Sequence, residues 1–254
     1  MKTKIDDNSV DIVVTDPPFA IDFSSNPQNY NRDASKVIDT YHEVSDNDYY
    51  KFTSDWMYES KRILKKSGSM YVFSGWNHLE DILRCLRENG FKVVNHIIWK
   101  YQFGVNCTKR FISSHYHILY VCLTESRRKF DPYARYGKDD LIPFTKRKAR
   151  YADMEDVWIV NRENWPRKMK TATKLPMEVV KKILSYSAEP GDLVVDPFIG
   201  SGQVAWVAKN MDMNYIGFEV SEKAYSLATQ RLKTNQYLIK ENDLLESEGV
   251  FETI

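Results

Sequence analysis

Short runs of β-branched residues alternate along this chain with amphipathic windows of helical period. That alternation restricts the fold most, because parallel strands need crossover helices to bring the chain back to the same sheet edge. Strand runs read at Asp11–Val14, Met70–Phe73, Val93–Trp99, His117–Leu123, Leu193–Val195, Tyr215–Phe218 and Tyr237–Lys240. Helical windows read at Asp46–Leu64, Asn77–Asn89, from Pro176 onward, Gln203–Asn210 and Ser221–Lys233. The first window stops at Lys65-Lys66-Ser67-Gly68, with cations in its last turn and a glycine beyond. Only a loop separates the third and fourth strand runs, so they are expected to pair antiparallel at one sheet edge. The fold class is therefore α/β, a mostly parallel sheet with an antiparallel edge hairpin.

From Glu125 to Trp165 the period is lost, charge rises, and Pro132, Gly137 and Pro143 interrupt the chain. The segment 125–165 reads as an insert between the body segments 1–124 and 166–254. Net charge is +1, but it is unevenly spread: Lys100 to Lys182 holds 19 Lys and Arg against 9 Asp and Glu, leaving 17 against 26 elsewhere. A single run such as Lys146-Arg147-Lys148 is ordinarily a solvated face. Here the bias persists, with Tyr133, Tyr136, Phe144, Tyr151, Trp158 and Trp165 interleaved, as a phosphate-backbone surface requires. With 254 residues, 43% of them hydrophobic, the chain can bury a sizeable core. The opening MKTKIDDNSVD has no apolar signal core, and no stretch approaches the roughly 18 apolar residues of a membrane span. A cytoplasmic protein is expected. Cys85, Cys107 and Cys122 are odd in number and lack C-x-x-C spacing, so they read as reduced core thiols.

Two motifs carry chemistry. Asp196-Pro197-Phe198-Ile199-Gly200-Ser201-Gly202 links a strand to a helix N-terminus, the arrangement that holds a nucleotide-like ligand at the carboxyl edge of a parallel sheet. Glu219, at the next strand end, is placed for ribose hydroxyls. Gly200-x-Gly202-x-x-Ala205 also fits a dinucleotide fingerprint, which keeps a nicotinamide-dependent dehydrogenase in view. Against that rival, Asp196 puts an acid beside the ligand, which suits a cation better than a pyrophosphate. The second motif is Thr15-Asp16-Pro17-Pro18-Phe19, where two prolines forbid continuation of a central strand. A rigid turn there offers a carboxylate, a proline carbonyl outside any ladder and an aromatic face. A carboxylate and a carbonyl can each accept from an exocyclic amine while Phe19 stacks on its ring.

With D-P-P-F at 16–19 and D-P-F-x-G-S-G at 196–202, the chain resembles the S-adenosylmethionine-dependent amino-methyltransferases of DNA over nearly its whole length. The motif order, Asp-Pro-Pro-Phe first and glycine turn last, is similar to the beta group. The resemblance implies a Rossmann-like seven-stranded sheet with helices on both faces, S-adenosyl-L-methionine as cofactor, and 125–165 as the target-recognition region. It assigns catalysis to Asp16, Pro17, Pro18 and Phe19, and cofactor binding to Asp196, Phe198, Gly200, Ser201, Gly202 and Glu219. Weaker correspondences add Thr173 and Lys174, where Leu175 separates the family's Lys-Pro pair, and Asp243 near the adenine. Double-stranded DNA is the implied partner, and the family also allows a homodimer and a cognate restriction endonuclease.

The implied reaction is direct methyl transfer to an amine after base flipping, with no covalent enzyme intermediate. The cysteines agree, because attack at carbon 5 of cytosine needs a thiolate, usually after proline, and none here follows proline. Within the family that the chain resembles, an Asp start in the first motif usually accompanies adenine, so the resemblance implies adenine N6 as the target and leaves cytosine N4 as the alternative. RNA or protein-glutamine methylation is disfavoured by motif order, and a non-catalytic DNA-binding module by the acids at 16, 196 and 219. His115-x-His117, near Cys107 and Cys122, reads as strand alternation rather than a metal site. The stretch Asp22–Tyr41 reads as a loop over DNA or at the surface. Trp76, Asn77 and His78 read either as target-pocket lining or as a helix cap at Asn77.

Overall fold

A computed structural model of the protein describes residues 1–20, 44–102, 108–135, 151–163 and 175–236. Thr173, Lys174, Asp243, Cys107, the strand run Tyr237–Lys240 and the stretch Asp22–Tyr41 lie outside the described residues.

Val10–Thr15 is buried at every position, as a strand must be when both sheet faces are covered, and it forms β1. The other strands are β2 (Leu64–Ser74), β3 (Lys92–Lys100), β4 (His115–Cys122), β5 (Val157–Ile159), β6 (Leu193–Asp196) and β7 (Asn214–Gly217). They make one seven-stranded sheet in the order β5-β3-β4-β2-β1-β6-β7. β1 runs parallel to β2 and β6, β6 to β7, and β3 to β5, while β4 is antiparallel to both neighbours. Two details differ from the sequence reading. β3 and β4 do pair antiparallel, but β5 borders β3 and takes the edge, with Trp158 opposite Trp99. β5 comes from within 125–165; its three residues, flanked by charge and turns, are too short a run for periodicity to show.

The helices are α1 (Asp46–Ile63), α2 (Leu79–Glu88), α3 (Met177–Ser187), α4 (Gln203–Lys209) and α5 (Glu222–Thr234). Strand alternation sorts the core into two layers. Ile12, Val14, Tyr71, Phe73, Ile97 and Ile118 pack with Val179, Ile183 and Val204 of α3 and α4. Val10, Val13, Met70, Val72 and Leu119 pack on the other face with Tyr49, Trp56, Met57, Ile82 and Leu86 of α1 and α2. Each fully buried aliphatic side chain contributes about 1.5–3 kcal/mol.

α1 begins at Ser45, whose hydroxyl accepts from the Asp48 N–H at 3.2 Å. It does not end in a glycine turn: Leu64 caps the helix and is already the first residue of β2. Lys65 therefore serves the sheet, its ammonium lying 2.7 Å from an Asp11 carboxylate oxygen. Gly68 lies in β2 beside a break in the β1–β2 register, where a Cβ would come within 2.8 Å of the Asp11 carbonyl. Close approach of two backbones, rather than helix termination, requires that glycine. α2 is capped at His78, not Asn77, and His78 Nδ1 lies 3.0 Å from Asp81. Pro176 occupies the N-cap of α3, one residue before the first helical position.

Candidate active site

β1 and β6 are parallel neighbours, Val13 pairing with Val195, so both chemical motifs leave the sheet at the same carboxyl edge. Asp16 follows the last residue of β1, and Asp196 is the last residue of β6. Asp196 is 4% exposed, and one of its oxygens accepts from the Phe198 N–H at 3.0 Å. Burial pushes its carboxyl up to about 8, opposed by the Phe198 N–H and reinforced by the negative charges of Asp16 and Glu219. Asp16 keeps partial solvent contact but is surrounded by protein, and loss of water raises it to about 7 against the pull of Arg162. Two acids on adjacent strands thus face each other's charge, and their protons are coupled.

The glycine turn is fixed mainly by backbone bonds. Ile199 N–H donates to the Phe218 carbonyl at 3.0 Å, Phe218 N–H to the Asp196 carbonyl at 3.1 Å, and Gly202 N–H to the Ile199 carbonyl at 2.9 Å. Gly200 and Gly202 have φ of 51° and 78°, a region that disfavours side chains. A Cβ at Gly202 would also lie 3.0 Å from the Ala228 Cβ of α5, whereas one at Gly200 would meet open space. Gly217 allows close β7 packing, since a Cβ there would overlap Ile199. Glu219 straps the turn: one carboxylate oxygen accepts from Gly200 N–H at 2.9 Å, the other from Val220 and Ser221 N–H groups, both at 2.9 Å. Each carboxylate oxygen can accept more than one bond, so ligand hydroxyls can still approach. The Ser201 carbonyl accepts from Arg231 at 3.1 Å, and Arg231 also donates to the Gln203 side chain at 2.6 Å. Burial lowers the Arg231 pKa to about 10. The Phe198 ring leaves the turn toward α1, 5.6 Å from Phe52 and 5.8 Å from Trp56 between centroids.

The Asp16 corner is walled from elsewhere in the chain. Pro17 is buried, Pro18 and Phe19 are half-buried, and Ala20 turns the chain with φ of 49°. The Phe19 ring lies 5.6 Å from Tyr116 of β4 and packs beside Gly75, just past β2. Tyr116 in turn lies 5.6 Å from both Trp99 and Tyr101. The Arg162 guanidinium stands 4.1 Å above the Tyr101 ring and 5.1 Å from that of Tyr116. Sequence reasoning missed Tyr101, Tyr116, Arg162 and Arg231. Tyr116 sits inside the His115-x-His117 alternation, which was the available signal. His117 itself faces His96, with ring nitrogens 2.7 Å apart, and burial lowers it to about 4. Cys85 and Cys122 are buried free thiols, Cys85 raised to about 11 by burial.

Chemically, the edge offers negative charge that favours a cation, and beside it a carboxylate, a proline carbonyl and an aromatic face that suit a planar amine. The sequence profile of a DNA methylase family, N6/N4 methyltransferases, matches residues 10–230. The type II methyltransferase M.HpaI of Haemophilus parainfluenzae is 26% identical over 236 residues, covering 90% of this chain and 69% of that protein. The fold is similar to that of the M1.HpyAVI–SAM complex, with 22% identity, TM-score 0.61, and coverage of 88% and 89%. It is also similar to the cytosine-N4-specific PvuII DNA methyltransferase, with 17% identity, TM-score 0.68, and coverage of 95% and 85%. The chain belongs to the N6/N4 family of DNA methylases, and its cofactor is S-adenosyl-L-methionine.

Proposed function

We propose that this chain is a site-specific DNA methyltransferase acting on the exocyclic N6 of adenine, with the base flipped out of the duplex. The observation that carries the reading is the emergence of Asp16-Pro17-Pro18-Phe19 and the 196–202 turn from adjacent strand ends. Asp16 and the Pro17 carbonyl accept from the amine, which turns its lone pair toward the acceptor carbon, and Phe19 stacks on the flipped base. Pro18 stiffens the corner. Asp16 must be ionised to accept both as a charge and as a hydrogen-bond partner. Positioning supplies most of the acceleration, and well-oriented reactants gain up to about 7–11 kcal/mol.

The residues present fit the cofactor: two acids raised by burial favour a cationic neighbour, and the turn that follows Asp196 has glycines where a side chain would be strained. Asp196, Phe198, Gly200, Ser201, Gly202 and Glu219 hold it in this reading, with Thr173, Lys174 and Asp243 as further contacts. When bound, it supplies an electrophilic methyl on a sulfonium. The segments 1–124 and 166–254 form the catalytic body and 125–165 reads the DNA target, tied to the sheet through β5. The reading includes a cytoplasmic protein, and the family resemblance leaves room for a homodimer and for a cognate restriction endonuclease. Among the described residues no helix is long and apolar enough to cross a membrane.

The test is transfer of labelled methyl from S-adenosyl-L-methionine to duplex DNA, followed by nucleoside mass analysis. N6-methyladenine is expected. N4-methylcytosine would keep the site and overturn the choice of base, and no transfer to DNA would overturn the reading.

A further inference from the structure

Arg162 is the feature of the site that neither motif contains. It follows β5 in the basic segment, and the backbone just before it is fixed on β3. Val160 N–H donates to the Lys100 carbonyl at 3.0 Å, and the Trp99 indole N–H donates to the Val160 carbonyl at 2.8 Å. From that anchor the guanidinium crosses the faces of Tyr101 and Tyr116 at 4.1 and 5.1 Å. Tyr116 carries the ring on which Phe19 rests. A planar cation over two aromatic faces has its direction fixed by the rings.

We propose that Arg162 is a positioning residue for methyl transfer, fixing the Tyr101–Tyr116 wall behind Phe19 and setting the positive charge beside the Asp16 corner. Among the described residues, the charged and titratable groups coupled to Asp16 are few. Arg162, in the segment after β5, acts on Asp16, and the Asp16 charge in turn acts on the Tyr116 hydroxyl of β4 and the Asp196 carboxyl of β6, which Glu219 also raises. Of these, Arg162 alone brings positive charge. Burial opposes ionisation of Asp16, and the guanidinium offsets it. Because Arg162 lies in the segment read as target recognition, the same residue links that segment to the reacting corner. The role in methyl transfer rests on the proposed function, whereas the effect on Asp16 does not.

The experiment therefore measures Asp16 directly. Carboxyl-carbon NMR of protein labelled at aspartate, with the Asp16 signal assigned by its loss in Asp16→Asn, gives its titration midpoint without DNA. Arg162→Gln is expected to raise that midpoint by about one pH unit. Arg162→Met, whose unbranched chain keeps the ring contacts, is expected to do the same and serves if the Gln variant does not fold. Arg162→Lys is expected to restore most of the wild-type midpoint. In methylation assays the acidic limb of kcat is expected to move upward by the same interval, with loss of rate at pH 7 recovered near pH 9 and cofactor affinity unchanged. A folded charge-removing variant with an unmoved Asp16 midpoint overturns the proposal. A moved midpoint in a protein that transfers nothing to DNA leaves the electrostatic role standing and removes the proposed function instead.

Discussion

The two halves of the site are built in different ways. The 196–219 half takes its parts from one contiguous strand–helix–strand stretch and closes with backbone hydrogen bonds, a carboxylate strap and two left-handed glycines. The 16–19 half takes only its tip from contiguous sequence. Its walls come from β4, from the end of β3 and from the segment after β5, and they meet through rings and charge. A half built locally can bind a ligand shared by many enzymes. A half assembled from distant segments can be tied to whatever those segments recognise, as Arg162 ties the basic segment to Asp16.

The largest expected effect separates the halves outright. Asp16→Ala removes the carboxylate proposed to meet the amine, while the backbone bonds of the glycine turn do not involve its side chain. Methyl transfer is expected to fall by about 10²–10³-fold or more, the scale of losing one aligned partner to a developing charge. Affinity for S-adenosyl-L-methionine, measured by calorimetry, is expected to stay within a few-fold of wild type. Loss of cofactor binding in a folded variant would mean that the halves are one unit and that the comparison fails. Gly202→Val strikes the other side. A β-branched residue at φ of 78°, with its Cβ about 3.0 Å from Ala228, costs about 1–3 kcal/mol of strain. Denaturant unfolding is expected to show that loss, and cofactor affinity to fall with it. The pH at which residual methylation declines is expected not to move, because nothing around Asp16 changes.

The same contrast explains what could be read from sequence. Residues 196–202 announce themselves through glycine spacing and an adjacent strand, since both the turn geometry and its reason are local. β1 is equally legible, as four apolar residues running into two prolines leave few alternatives. Gly68 was misread because a glycine after a cationic helix end looks the same whether it terminates the helix or admits a neighbouring backbone; only the β1–β2 register decides. β5 was hidden because three residues carry no period, and its partner β3 lies far back in the chain. Arg162 was one cation among many in a basic stretch, and nothing in its neighbours marks the tyrosines it covers. Non-local packing decides these positions, and a single sequence records it only indirectly.

The smallest expected effect concerns stability rather than rate, and it sharpens how far the two acids act together. Asp196 is raised to about 8 and Asp16 to about 7, both above the ordinary aspartate value of 3.8. Between those limits the folded protein holds protons that the unfolded chain has released, so folding loses stability as pH rises. The contribution is fully present below about pH 4 and is gone once pH has risen through the folded-state values. Asp196→Asn removes the carboxyl that the Asp16 charge helps to raise and leaves the causes of the Asp16 shift, burial and Arg162, in place. Measured as a difference from wild type in thermal unfolding of the cofactor-free protein, the variant is expected to gain stability steadily from pH 5 to about pH 8 and to level off above it. Saturating S-adenosyl-L-methionine is expected to flatten the wild-type decline, because a cation near the acids favours their ionised forms. A difference curve that is level across this range would mean that Asp196 titrates as an ordinary carboxylate. The shared electrostatics of the two strand ends would then be absent, and the halves would be independent in charge as well as in construction.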